Sequence, residues 1–94
     1  LPREKNDRVK MLKQLESAAG TGESQIFMDT PYRNKAVLDD CLQFLSSMTF
    51  LCIGIGLHGP QQKIITQRIE QWKKSAPDMH KIPAMFIIGQ RQIP

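Results

Sequence analysis

The chain of 94 residues holds two cysteines, one tryptophan, one tyrosine and two histidines, and each scarcity excludes something. Two cysteines cannot build the disulfide framework of a small secreted domain, and neither forms a paired C-x-x-C. Cys41 falls in a helical pattern and Cys52 in an apolar strand, where small buried hydrophobes are expected, and this usage points to a reducing compartment. No apolar run approaches the roughly 18 residues that span a bilayer, and no signal-peptide pattern opens the chain. A soluble, cytoplasmic protein is the expectation. No P-loop, nucleophile elbow or H-E-x-x-H is present. His58 and His80 fall near predicted loops without a clear acidic or cysteine partner, so no metal site is expected. Gly54-x-Gly56 follows a strand but lacks the third glycine and the helix of a dinucleotide fingerprint, leaving close backbone approach or a bulge as its meaning.

With 40% hydrophobic residues, the chain is expected to form one domain over positions 1–94 with a modest core, and 90–94 as a tail. The formal charge of +4 is uneven. Positions 1–47 carry seven basic and seven acidic residues, whereas 48–94 carry six basic and two acidic. That excess is able to steer an anionic partner such as RNA.

Val9, Leu12, Leu15 and Ala19 recur at helical spacing, predicting an amphipathic helix from about Glu4 to Ala19 ended by Gly20. Gln25 to Asp29 reads as a buried strand. Thr30 then offers a cap and Pro31 fits the first helical position, so a helix from Pro31 to Leu45 is expected to follow directly. Its apolar face carries Val37, Leu38, Cys41, Leu42 and Leu45, with Lys35, Asp39, Asp40 and Gln43 mostly opposite. Thr49 to Ile55 is nearly continuously apolar, which suits a central strand covered on both faces. A loop or hairpin around Leu57 to Gln61, a β-prone stretch from Lys63 to Gln67, a short helix bringing Ile69 and Trp72 inward before Pro77, and a last strand from Pro83 to Gly89 complete the chain. The order is α-β-α-β-β-α-β: a small mixed β-sheet layered with helices, its unit from Gln25 to Ile55 a right-handed parallel crossover.

The strand-to-helix junction Ile26-Phe27-Met28-Asp29-Thr30-Pro31-Tyr32-Arg33 stands out, because free N–H groups at a helix start favour polar ligand atoms. Together with Leu1-Pro2 before a basic helix, Leu51 to Gly59, Trp72-Lys73-Lys74 and Ile82 to Gly89, this pentad Asp29-Thr30-Pro31-Tyr32-Arg33 resembles the C-terminal domain of the tetrapyrrole methylase family. More narrowly, it looks like the branch that includes the ribosomal RNA small-subunit ribose 2′-O-methyltransferases and their uncharacterised relatives, with Asp29 where Glu is more usual. The resemblance implies half of a two-domain S-adenosylmethionine-dependent methyltransferase, usually a homodimer, whose N-terminal domain carries the glycine-rich cofactor loop and most candidate catalytic residues. The chain begins at Leu1 without an initiator methionine, as a piece of a longer protein would. By the resemblance, Met28, Gly54, Ile55, Pro83 and Ala84 approach S-adenosylmethionine, and Tyr32 and Arg33 face the substrate cleft. Ile55-Gly56-Leu57-His58-Gly59 stands where RNA-modifying members have an Arg-Glu-Leu-Thr-Lys type sequence, so an RNA substrate is not inherited with the fold. Two alternatives come from other classes: a nucleic-acid-binding module using Lys63, Arg68, Lys73, Lys74 and Lys81, and a regulatory small-ligand domain.

Overall fold

A computed structural model describes residues 2–55, 62–77 and 83–89. Seven elements run in the order α1 (Lys5–Ala19), β1 (Gln25–Met28), α2 (Asn34–Phe44), β2 (Phe50–Ile55), β3 (Lys63–Arg68), α3 (Ile69–Lys74) and β4 (Ala84–Gly89). This is the α/β order the periodicities predict. The expected loop or hairpin at 57–61, His58, His80, Lys81 and the tail from Gln90 lie outside the described residues.

The four strands form one sheet in the order β1-β4-β2-β3, and every pairing is antiparallel rather than mixed. Since β1 and β2 both run against β4, they are parallel to each other but not adjacent. The expected crossover is therefore split by β4, the last of the described strands. The reason lies in the composition of β4: Ala84-Met85-Phe86-Ile87-Ile88 is apolar throughout, and a central position buries more of it than an edge would. β2 is interior, as its continuous apolar run requires.

Alternation divides the sheet into two faces. Phe27, Leu51, Ile53, Ala84, Phe86 and Ile88 turn toward the helices and form the core with Leu12, Ala19, Val37, Leu38, Cys41, Leu45, Ile69 and Trp72. Phe27 and Phe86 stack across β1 and β4, with ring centroids 5.1 Å apart. Trp72 Nε1 donates a 2.7 Å hydrogen bond to the Leu51 carbonyl, which ties α3 to the central strand. The first turn of α3 is closed by the loop before β2: Ile69 N–H donates to Thr49 O and Glu70 N–H to Ser47 O. Gln71 Oε1 reaches back to accept the Arg68 N–H at 2.9 Å.

Glu4 caps α1 by accepting the Asp7 N–H, and the left-handed residue after the helix is Gly22 (φ 104°) rather than Gly20. Asp40 departs from the expected polar face of α2. It is buried against α1, where Arg8 Nε meets its Oδ2 at 2.5 Å. Glu16, also on α1, accepts hydrogen bonds from Ser46 N–H and Thr49 Oγ1, both at 2.7 Å, and from Lys13 Nζ at 3.0 Å. Burial pushes the Glu16 carboxyl upward. The hydrogen bonds from Thr49, Ser46 and Lys13 outweigh it and leave the pKa below the ordinary carboxylate value.

Candidate functional site at the strand tips

The helix does not follow β1 directly. It starts at Asn34, and residues 31–33 form a turn in which Arg33 N–H donates to Thr30 O at 2.9 Å. Asp29 organises this turn: its Oδ1 accepts the Thr30 N–H at 2.7 Å and its Oδ2 faces Arg33 Nη2 at 3.4 Å. Thr30 is thus the start of a turn, not a helix cap, and Pro31 is not the first helical residue. The physical cause is local: the Asp29 carboxylate takes the N–H immediately after it and holds Arg33 back against the strand end. Arg33 Nη2 also donates to the Pro2 carbonyl, joining the turn to the segment before α1. The Arg33 side chain is accordingly engaged by the fold, whereas Tyr32 is 76% exposed.

The remaining five candidates lie at one end of the sheet, because parallel β1 and β2 end where β4 begins. Met28 pairs with Met85, Met85 with Gly54, and Ala84 with Ile55, and Pro83 immediately precedes β4. Positions separated by up to 56 residues in sequence therefore occupy adjacent strand tips, with Met28 and Gly54 about 10 Å apart at ordinary strand spacing. They do not share one face. Met28 and Gly54 belong to the face away from the helices, while Ile55 and Ala84 point toward the helix layer, where Ala84 is buried. Of the five, Met28 and Pro83 are exposed and Ile55 is half-buried.

Met85 joins them, although no sequence signal singled it out. Strict alternation through Ala84-Met85-Phe86-Ile87-Ile88 places Met85 and Ile87 on a second face, and the register sets Met85 between Met28 and Gly54. The same row continues to Ile64 on β3. Ile26, Met28 and Ile64 are each more than half exposed, so this face presents a band of apolar side chains to its surroundings. At its far end the Arg68 guanidinium lies over the Phe50 ring, 4.8 Å from the centroid.

Chemically, this end offers apolar contact and strand-end backbone groups. The nearby carboxylate, Asp29, is ion-paired. Among the described residues no group of three His, Cys, Asp or Glu side chains is placed to hold a metal ion. Lys63 and Arg68, two of the basic residues of the nucleic-acid alternative, sit at opposite ends of β3 and, five residues apart, turn to opposite faces. Among the described residues no helix is long and apolar enough to cross a membrane. The chain matches no protein-family model and no curated protein.

Proposed function

We propose that this chain is the C-terminal domain of an S-adenosylmethionine-dependent methyltransferase of the tetrapyrrole methylase kind, forming one wall of an interdomain cofactor cleft. The observation that supports this reading is the strand order β1-β4-β2, which gathers Met28, Gly54-Ile55 and Pro83-Ala84 on neighbouring tips. Met28 and Pro83 offer exposed apolar surface to the cofactor, and Gly54 leaves room beside Met28 on the same face, whereas Ile55 and Ala84 turn to the helix layer. S-adenosylmethionine, when bound, supplies the electrophilic methyl group.

In this reading the chain binds, orients and excludes water, and the acid-base chemistry belongs to the N-terminal methyltransferase domain. The exposed apolar band of Ile26, Met28 and Ile64 favours a neighbouring body on that face, either the N-terminal domain or a second copy in a homodimer. An RNA methyl acceptor rests on the family resemblance alone.

Calorimetry with S-adenosylhomocysteine tests the proposal on the two-domain enzyme and on this chain by itself. Met28→Glu, at a position 58% exposed, is expected to leave the chain folded and to weaken binding to the two-domain enzyme by about tenfold or more, since a charge replaces apolar contact. Unchanged affinity in Met28→Glu, or tight binding to the isolated chain, contradicts the assignment.

A further inference from the structure

On the opposite side of the sheet, beneath the end of α3, lies a cavity of about 430 Å³. Its floor is the helix-facing column of β3, Lys63, Ile65 and Gln67, with Ile55 of β2 alongside. Its far wall is Trp72 and the segment from Ser75 to Pro77. The cavity exists because α3 is only six residues long and ends at Lys74, before it covers the whole of β3. Ile65 is consequently 39% exposed although it faces the helix layer. The volume falls in the range of about 300–1,000 Å³ typical of small-molecule sites.

The lining groups are ordered along the trough. Lys63 stands at the strand-tip end with an exposed side chain, and among the described lining residues there is no carboxylate. Ile65 and the Trp72 ring form an apolar middle, and the Trp72 N–H is already committed to Leu51 O, so the ring acts as a wall. Gln67 lies four residues from Lys63, about 13 Å along the strand. Among the described lining residues, one cation, an apolar middle and the neutral groups of Gln67 and Ser75 suit a monoanion with an apolar body. A phosphate calls for more donors than one ammonium supplies.

We propose that this cavity binds a small carboxylic acid with an aromatic or branched apolar body, its carboxylate at Lys63 and its body over the exposed Ile65 side chain, beside the edge of the buried Trp72 ring. The site shares Ile55 with the cofactor reading, but it is built on the helix-facing column of β3 and needs no second domain.

The chain contains one tryptophan, so fluorescence of Trp72 reports on this cavity directly. Titration with 3-phenylpropionate is expected to give a saturable change, and the neutral 3-phenylpropanamide to bind about tenfold more weakly for want of the charge-assisted contact. Lys63→Gln, at an exposed position that leaves the fold intact, is expected to abolish that preference and make the two ligands equal. Ile65→Asp, verified as folded by circular dichroism, is expected to abolish the response to both. No saturable response to the acid, equal affinities in the unsubstituted chain, or a preference that survives Lys63→Gln overturns the proposal.

Discussion

Replacing Asp40 by leucine strands the Arg8 guanidinium between α1 and α2, and the expected cost is large. The two side chains are 9% and 4% exposed and meet at 2.5 Å. Once the carboxylate is gone, the remaining acceptor shown for Arg8 is the Arg3 carbonyl, at 3.2 Å from Nη1. Breaking a buried pair by removing one partner costs about 3–5 kcal/mol, because the other charge stays desolvated. An exposed pair would cost at most about 1 kcal/mol. In a domain of this size each kcal/mol moves Tm by about 4–8 °C, so Asp40→Leu is expected to lower Tm by roughly 12–40 °C. The double variant Arg8→Met with Asp40→Leu is expected to recover most of the loss, since both charges leave together and apolar side chains fill the interface. Urea unfolding followed by circular dichroism on the four proteins of the cycle measures this. A cost below about 1 kcal/mol for Asp40→Leu, or a double variant as unstable as the sum of its singles, would refute the buried-pair reasoning.

Two further outcomes follow from titratable groups packed along α1 and α2. Glu16 has a folded pKa below its ordinary value of 4.5, so its stabilising contribution is fully present above that value and is lost as pH falls through the folded pKa. Urea midpoints between pH 6 and 3 should therefore fall less in Glu16→Gln than in the unsubstituted chain, and Glu16→Gln should cost about 1–2 kcal/mol at neutral pH through its weakened contacts to Ser46 and Thr49. Parallel pH profiles would exclude the role. Burial, reinforced by the nearby Asp40 and Glu16 charges, pushes the Cys41 thiol far above the ordinary range, so thiol reagents should label it only at the rate of unfolding. Rapid labelling of Cys41 in the native protein would contradict its placement.

The elements were legible where periodicity was strong. Val37, Leu38, Cys41 and Leu45 on α2, and Ile69 and Trp72 on α3, are buried where their spacing put them. Thr30-Pro31 has the composition of a cap and predicts too early a start for α2, because the competing hydrogen bonds of Asp29 depend on turn geometry. Asp40 looked like a solvated residue since its partner lies 32 positions away. Of the candidate site, Met28, Gly54 and Ala84 follow from the family resemblance, and nothing local marks Met85 beside them. The cavity beneath α3 had no sequence signature at all, because it arises from where a six-residue helix stops over an edge strand.

Local propensity and hydrophobic period depend on neighbours a few residues away, so the sequence by itself determined the seven elements, their order and most of the core-facing positions. Strand order and register depend on contacts between distant segments. The tertiary structure alone decided that β4 separates β1 from β2, which residues meet at the strand tips, and that Lys63, Ile65 and Trp72 enclose a common space. Those decisions rest on which apolar strand gains most from a central position, and that is a property of the whole chain's burial.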